Sequence, residues 1–268
     1  MTQYYVATEL ADRFSPNDLF NQVDHLTGEI YREVANRRTI KVRIGDRNYF
    51  AKIHHGVGWK EIFKNLVQGR LPVLGARNEW LAISHLERAG VPTMTAALFC
   101  EEGMDPSKRR SAILTCSLEN KISLEDFETE DLVLKRRLIQ KIAQMASGMH
   151  GAGINHRDYY LCHFLMDYPV RGEPGLHLID LHRAQLRKAV PARWLEKDLG
   201  GLLFSALEKN LTRRDLLRFV RTYSDGDLRS ALRGREGLWK RVLKRAEKLY
   251  LQDHDQLSSN AARLLEQP

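Results

Sequence analysis

Cysteine is scarce in this 268-residue sequence, and the copies present follow no pairing pattern. The three cysteines are Cys100, Cys116 and Cys162, an odd number without the CxxC spacing of zinc sites and redox motifs. The sequence therefore predicts neither a disulfide framework nor a zinc site. A chain of this kind suits a reducing compartment such as the cytosol.

Long apolar runs are also missing. No stretch approaches the roughly 18 consecutive apolar residues that a membrane-spanning helix requires, and the N-terminus has no basic start followed by an apolar run. Internal repeats and low-complexity tracts are absent as well. We therefore expect any contact with a membrane to be peripheral.

The sequence does have the composition of a folded protein with an excess of positive charge. Hydrophobic residues make up 43% of the chain and charged residues 28%, which excludes a disordered chain. The formal net charge is +8, with basic clusters at 108–110 and 135–137. This charge predicts an anionic partner, but by itself it leaves nucleic acid, phospholipid, nucleotide, phosphorylated glycan and acidic protein open.

The first part of the chain is predicted to form a small antiparallel sheet with helices. Residues 39–44 alternate apolar and polar side chains, residues 45–48 supply turn chemistry, and residues 49–53 resume an extended pattern. This pattern predicts a β-hairpin with Lys52 near its end. The other elements predicted here are helices at 59–67 and 76–89 and strands at 93–99 and 111–116.

The second part of the chain is predicted to be mainly helical. Residues 131–150 have a continuous helical pattern, and Gly151 and Gly153 provide its C-terminal stop. The other elements predicted here are strands at 163–166 and 176–180 and helices at 194–208, 213–223 and 238–251. A sheet-containing part followed by a helical part predicts the α+β class.

The motif His156-Arg157-Asp158 follows the long helix, five positions before His163 and twenty-two before Asp180. In protein kinases a loop of this form carries the Asp that accepts the proton of the attacking hydroxyl, and a residue five positions on and a later Asp hold metal. The tripeptide alone is a weak signal, and its context strengthens it. Asp158 is therefore the candidate catalytic carboxylate, with His156 and Arg157 as supporting residues.

Two residues upstream add to this motif. Lys52 ends the second strand of the hairpin, and Glu79 lies near the start of the predicted helix 76–89. This is the chain order of the lysine and glutamate that orient ATP phosphates in kinases. Phosphoryl transfer needs positioning and charge neutralisation, so we assign Lys52 to the phosphates and Asp180 to Mg²⁺. His163 stands at the second metal position. Because Mg²⁺ prefers oxygen ligands, His163 is expected to assist by hydrogen bonding, or the second metal to be absent.

These assignments predict a bilobal protein-kinase-like fold. The boundary is placed near residues 117–120. Residues 1–117 are then a β-rich lobe that positions the ATP phosphates, and residues 118–268 are a helical lobe with the catalytic loop, the metal and the acceptor.

Longer segments around these residues resemble the lipopolysaccharide core heptose(I) kinases. The segments that carry the resemblance are 56–62 (GVGWKEI), 70–76 (RLPVLGA), 155–164 (NHRDYYLCHF), 179–185 (IDLHRAQ), 197–199 (KDL) and 211–215 (LTRRD). The resemblance covers about residues 28–250, and runs of this length are specific.

The resemblance implies ATP-dependent phosphorylation of a hydroxyl on the first heptose of the lipopolysaccharide inner core, at the cytoplasmic face of the inner membrane of a Gram-negative bacterium. The partners it implies are the core glycolipid, the anionic membrane surface and an acyl carrier protein, with no nucleic acid expected. Two alternatives remain open. One is a kinase of the same fold acting on another core sugar or a protein hydroxyl, and the other is an inactive module that binds glycolipid or a carrier protein.

The sequence departs from the protein-kinase pattern in three places. No glycine-rich loop precedes Lys52, and residues 36–38 (NRR) stand there, so backbone and arginines are expected to cover the phosphates. Phe50 is larger than the alanine common in protein kinases. Leu181 and His182 follow the metal-binding Asp in place of Phe-Gly, which predicts a constitutively assembled site without a switchable activation segment.

Each of these residues also has a purely structural interpretation. Asp158 and Asp180 can cap a turn and end a strand, while Lys52 and Glu79 can be a solvated strand end and an ordinary acid at a helix start. The ordered set of four is the reason for preferring the catalytic interpretation.

Other residues are assigned supporting or surface roles. Arg183 either forms an ion pair within the fold or faces the acceptor glycan, and Asp198 is expected to hold the backbone of the catalytic loop. The apolar stripe of residues 59–67 is interpreted chiefly as core packing, with membrane or partner docking as the alternative. The same holds for residues 238–250, whose opposite face is basic.

Overall fold

The computed structural model describes residues 3–67 and 73–266. Gln68, predicted on the polar face of a helix, and residues 70–72 of one family-like segment lie outside the described residues. The chain divides into two compact units, which we call the first and second units. The first unit comprises Met1–Ser84, Met94–Glu119 and Leu181–Arg183, and the second comprises His85–Thr93, Asn120–Asp180 and Ala184–Pro268.

The first unit is built on a six-stranded antiparallel sheet. Its strands are β1 (Gln3–Val6), β2 (Glu29–Val34), β3 (Arg37–Ile44), β4 (Arg47–His54), β5 (Ala96–Glu102) and β6 (Arg110–Cys116), in the order β1-β5-β6-β4-β3-β2. Its helices are α1 (Leu19–Asp24), α2 (Gly58–Val67) and α3 (Arg77–Arg88), of which α3 continues into the second unit from His85. The predicted hairpin is confirmed as β3 and β4, with Ile44 opposite Arg47.

The core of the first unit follows from the alternation in the hairpin. Ile40 and Val42 of β3 and Ala51 and Ile53 of β4 are buried on one face, and Lys41 and Lys52 between them lie on the other face and are half-buried. Gly45 makes the turn with φ +61°, a conformation that favours glycine. This packing fixes the register of the strand that carries Lys52.

Helix α2 contradicts the expectation of core packing for most of its apolar stripe. Ile62 is buried, but Trp59, Phe63, Leu66 and Val67 are exposed. Helical periodicity identifies an apolar face but does not say what covers it, which is why the sequence interpretation was wrong here. Trp59 and Phe63 lie against each other, with ring centroids 5.8 Å apart.

The second unit is mainly helical. Its helices are α4 (Leu132–Gly151), α5 (Ala192–Ala206), α6 (Arg213–Tyr223), α7 (Leu228–Gly234), α8 (Glu236–Asp253) and α9 (Ser259–Leu265). Its strands are β7 (Lys121–Ser123), β8 (Ile154–Asn155), β9 (Phe164–Asp167), β10 (Leu176–Leu178) and β11 (Gln185–Leu186), which form the sheets β10-β9-β7 and β11-β8.

Local signals set the ends of these helices. The Asp131 side chain caps α4 by accepting hydrogen bonds from the backbone N–H groups of Val133 and Leu134. Thr212 and Asp215 form a reciprocal capping box at the start of α6. The apolar stripe of α8 is buried, so core packing is confirmed for the last long helix.

The predicted α+β class is confirmed by the sheet of the first unit and the helices of the second. Across residues 3–67 and 73–266, none of the helices combines the length and the apolar composition needed to cross a bilayer.

Candidate active site

Two of the predicted site residues form an ion pair inside the first unit. The Nζ atom of Lys52 on β4 lies 2.7 Å from Oε1 of Glu79 in the first turn of α3. The Lys52 side chain is 12% exposed and that of Glu79 is 0% exposed, so water screens the pair little. The second carboxylate oxygen of Glu79 has no hydrogen-bond partner among the described residues. The two residues that the sequence paired are thus in contact.

His54 lies two residues beyond Lys52 on the same face of β4. Burial lowers the pKa of His54 to about 3, and the positive charges of Arg37 and Lys52 act in the same direction. His54 is therefore neutral at physiological pH. The strand adds no further positive charge beside Lys52.

The candidate catalytic loop, which carries His156 and Asp158 and is called the catalytic loop below, begins where α4 ends. Gly153 turns the chain with φ +78°, and its carbonyl oxygen accepts a hydrogen bond of 2.8 Å from the backbone N–H of Arg187. A Cβ atom at Gly153 would lie 2.0 Å from the carbonyl oxygen of Arg187, so no side chain fits. This close approach pairs β8 with β11 immediately before His156.

The Asp198 side chain of α5 binds the backbone of the catalytic loop. Its carboxylate accepts hydrogen bonds from the backbone N–H groups of His156 at 2.7 Å and Arg157 at 2.8 Å. His150 Nε2 lies 3.3 Å from the same carboxylate. Asp198 is fully buried, and Arg157 has φ +79°, which is unfavourable for a residue with a Cβ atom. The contacts hold this turn in place and support the predicted role of Asp198.

His156 links the loop to the segment that carries Asp180. Its Nε2 atom donates a 3.0 Å hydrogen bond to the carbonyl oxygen of Ile179. Burial lowers the pKa of His156, and the negative charge of Asp198 only partly opposes this effect. The ring is therefore neutral, consistent with one protonated nitrogen directed at the carbonyl.

His163 joins the catalytic loop to Asp180. Its Nδ1 atom donates to the backbone carbonyl oxygen of Asp158 at 2.6 Å, and its ring stacks on that of His156 with centroids 5.5 Å apart. Its Nε2 atom lies 3.7 Å from Oδ2 of Asp180, which has φ +60°. Because Nδ1 carries a proton, a neutral His163 presents the lone pair of Nε2 towards this carboxylate. Both atoms can therefore contact the same cation.

The described residues include no group of three or more His, Cys, Asp or Glu side chains suited to a metal. Asp180 and His163 offer one carboxylate and one imidazole nitrogen. Mg²⁺ in phosphate-transfer sites is bound by one or two carboxylates, waters and substrate phosphates, so Asp180 suits it and His163 is the less apt ligand. The pair therefore fits a metal that arrives with nucleotide phosphates, and does not form a closed metal cage.

Arg183 lies in the short 3₁₀ turn Leu181–Arg183 that follows Asp180. Both interpretations given above for Arg183 stay predictions. The division of roles between residues 1–117 and 118–268 stays a prediction as well.

Sequence reasoning missed His150 and a large cavity. His150 sits in the last turn of α4 and contacts Asp198 and the hydroxyl of Tyr223. Its sequence neighbours give no signal of this, because both contacts are to residues far along the chain. The cavity lies within the second unit and has a volume of about 840 Å³. It is lined mainly by aliphatic side chains of α4, α5, α6 and α8.

The comparisons with known proteins agree on one family. Residues 21–223 match the model of the "Lipopolysaccharide kinase (Kdo/WaaP) family". The chain is 50% identical over 242 residues to the lipopolysaccharide core heptose(I) kinase WaaP of Pseudomonas aeruginosa, covering 87% of this chain and 90% of that protein. It is 45% identical over 241 residues to the Escherichia coli protein of that name, covering 87% and 91%.

A solved structure agrees with these relatives. It is described as WaaP in complex with acyl carrier protein, and it has a TM-score of 0.79 and 41% sequence identity, covering 92% of this chain and 99% of that one. The fold is the α+β kinase-like fold predicted from the sequence. The matches to the family model and to the curated relatives lead to one conclusion: the chain belongs to the lipopolysaccharide kinase (Kdo/WaaP) family.

Proposed function

We propose that the protein transfers a phosphoryl group from ATP to a hydroxyl on the first heptose of the lipopolysaccharide inner core. The observation that carries the proposal is the geometry of the catalytic loop, in which the buried Asp198 carboxylate fixes the backbone beside Asp158. The names of the relatives, at 50% and 45% identity, support heptose as the acceptor.

Each residue has a role that its surroundings support. Asp158 orients the acceptor hydroxyl and accepts its proton, and His163 positions this residue by its hydrogen bond to the Asp158 carbonyl oxygen. Lys52 binds nucleotide phosphates and is oriented by Glu79.

Asp180 would hold Mg²⁺ with nucleotide phosphates completing its ligands, and His163 would stand beside it. When bound, the metal supplies positive charge against the phosphate oxygens as they develop negative charge. The protein residues position the acceptor and the nucleotide, which is the larger part of catalysis in phosphoryl transfer.

The test is the substitution Asp158→Asn. We expect it to lower kcat for phosphate transfer to dephosphorylated core by about 10² to 10⁴, because the general base is lost, while KM for ATP and the melting temperature change little. Mass spectrometry of the core locates the added phosphate. The matched control is Asp126→Asn, which removes the charge of an exposed Asp in the same unit. Undiminished activity in folded Asp158→Asn protein would refute this role, and phosphate on another sugar would refute the acceptor.

We also propose an acyl carrier protein as a partner. The solved relative described above supports this partner, as does the apolar cavity of about 840 Å³, which suits the acyl group that such a carrier bears. The net charge of +8, which predicts an anionic partner such as an acidic protein, also supports a carrier protein.

Two exposed leucines allow a matched test of this partner. Leu217 lines the cavity on α6, whereas Leu251 on α8 does not, and both are exposed. We expect Leu217→Trp to reduce binding of an acylated carrier to the level of the unacylated carrier, and Leu251→Trp to have no effect, in a pull-down at low salt. Absence of any complex at low salt would remove the partner. Equal binding of the acylated and the unacylated carrier would show that the cavity does not bind the acyl group.

We propose that the protein works peripherally at the cytoplasmic face of the inner membrane, where its glycolipid acceptor is made. The exposed aromatic face of α2, with Lys60 and Lys64 beside it, is suited to the interface of an anionic membrane.

A further inference from the structure

Four cationic side chains surround one tryptophan ring in the second unit. The ring of Trp194 lies 4.3 Å from Nζ of Lys197, 5.3 Å from the guanidinium carbons of Arg187 and Arg193, and 5.8 Å from that of Arg157. We call these four cations and Trp194 the Trp194 cluster. Arg157 directly precedes Asp158, so the cluster adjoins the catalytic loop.

Positive charge outweighs negative charge around Lys197. Partial desolvation lowers the pKa of Lys197, and the neighbouring charges of Arg245, Arg193 and Arg157 lower it further, while Glu196 opposes the shift. Glu196 also pairs with Arg241, at 3.1 Å. Asp198, the other nearby carboxylate, is engaged by the backbone of the catalytic loop.

The position of the cluster on its helix adds to this excess. Arg193 and Lys197 lie in the first two turns of α5, which has no acidic residue in its first turn and no side-chain cap. The N-terminal end of a helix carries a partial positive charge, so cations are unfavourable there and an anion is favoured.

Two donors in the neighbourhood have no partner within the described part of the chain. The indole N–H of Trp194 and the Nε–H of Arg245 are both buried and make no hydrogen bond to it. Arg187, in contrast, donates to the side-chain oxygens of Asn155 at 2.7 Å and Gln185 at 2.6 Å. Arg187 therefore has a structural role, and the exposed Arg193 and Lys197 are the members that can reach a ligand.

We propose that the Trp194 cluster binds an oxyanion group, a carboxylate or a phosphate, on the acceptor glycolipid and so places its sugar hydroxyl at Asp158. This inference rests on the proposed function. Two exposed cations one turn apart on the same helix, Arg193 and Lys197, suit an oxyanion site, because a carboxylate or phosphate can accept charge-assisted hydrogen bonds from both. The nucleotide phosphates are assigned to Lys52 of the first unit, which leaves this cluster for the acceptor.

The test compares two double variants with the same change of charge. Arg193→Gln/Lys197→Gln removes two cations of the cluster, and Arg136→Gln/Arg214→Gln removes two exposed cations elsewhere in the same unit. We expect the first variant to raise KM for intact core acceptor about tenfold, with kcat, KM for ATP and melting temperature nearly unchanged. The second variant should match the wild type. Equal KM values for the two variants would overturn the proposal.

Modified acceptors distinguish the two sources of the anion. One acceptor has its carboxylates methyl-esterified, and the other has its pre-existing phosphates removed. The difference in KM between wild type and Arg193→Gln/Lys197→Gln should vanish for the acceptor that lacks the recognised group. A tenfold difference that persists with both acceptors would show that the cluster does not read an acidic group.

A binding measurement separates this inference from the proposed function. In a Lys52→Met/Glu79→Leu background, which removes the proposed nucleotide-phosphate residue without leaving a buried charge, inorganic pyrophosphate should bind about tenfold more weakly when Arg193 and Lys197 are replaced by Gln. This outcome is independent of whether the wild type phosphorylates heptose. Unchanged pyrophosphate binding would refute the proposed anion site, even if the protein is found to phosphorylate heptose.

Discussion

The contact between Lys52 and Glu79 is a buried ion pair, and such pairs are costly to make and to break. Moving both charges out of water has a large desolvation penalty, which their attraction at 2.7 Å offsets. A hydrophobic pair of similar size would stabilise the sheet equally well or better. The presence of charges here therefore favours a role in binding nucleotide phosphates over a role in folding.

Substitutions at this pair separate the two roles. We expect Glu79→Gln to destabilise the protein by about 3 kcal/mol in urea unfolding, because the Lys52 ammonium would remain buried without a counter-charge. Phosphate transfer should fall with it. The double variant Lys52→Met/Glu79→Leu should unfold near the wild-type urea concentration yet show no activity. A double variant that is both stable and active would show that phosphate transfer does not require Lys52.

At the level of elements, helix α5 is the part of the structure that fixes the catalytic loop. Asp198 lies in the second turn of α5. Its side chain contacts His156 and Arg157, which are 42 and 41 positions earlier in the chain. Arg157 has a positive φ angle, and the Asp198 carboxylate binds its backbone N–H group. Asp198 therefore stabilises the strained part of the loop.

Replacing this carboxylate should affect both stability and rate. We expect Asp198→Asn to cost about 2 kcal/mol, because an amide NH₂ cannot accept the hydrogen bond that one of the two backbone N–H groups now makes. Differential scanning calorimetry and steady-state kinetics measure the two effects. Asp131→Asn is the matched control, since Asn caps a helix as well as Asp, and its stability should change by less than about 0.5 kcal/mol. Equal effects of the two substitutions would contradict the importance assigned to Asp198.

Elements with a buried face were predictable from the sequence. Strands β3 and β4 alternate because one face packs on the core, and α4 carries both a capping residue and a glycine stop. Strand β2 was missed because all six of its residues are exposed, so its side chains show no alternation. It is an edge strand held by backbone hydrogen bonds to β3, which leave no trace in residue type.

For the site, the sequence predicted the identity and order of residues but not their contacts. The analogy with kinases predicts that Lys52 and Glu79 form a pair. Only the folded structure shows that they are in contact. The Trp194 cluster could not be predicted from the sequence, since no spacing rule brings Arg157 next to Trp194 and Lys197. Long-range packing decides such contacts, and one sequence carries little information on them.

At the scale of the whole molecule, the proposed membrane association combines the net charge of +8 with the exposed apolar face of α2. Positive charge attracts a protein to an anionic surface over about 10 Å at 0.1 M salt, and aromatic side chains favour the membrane interface. We therefore expect both features to contribute to the proposed peripheral binding.

We expect the protein to co-sediment with vesicles that contain about one-third anionic lipid at 0.1 M salt, and to be released at about 0.5 M salt, because salt screens the attraction. Trp59→Ser/Phe63→Ser should weaken binding at both salt concentrations. Tyr168→Ser, which removes another exposed aromatic side chain, is the control. Vesicle binding that changes neither with salt nor with the α2 substitutions would argue against peripheral binding through charge and the α2 face.

Gly153 has a consequence for the genetics of this protein. Every single-base change of a glycine codon that alters the amino acid introduces a Cβ atom, and the carbonyl oxygen of Arg187 occupies that space. Missense alleles at codon 153 should therefore separate β8 from β11 and disturb the turn that leads into His156 and Asp158. Such alleles would behave as null alleles of the kinase, although the residue they change contributes no side chain to the reaction.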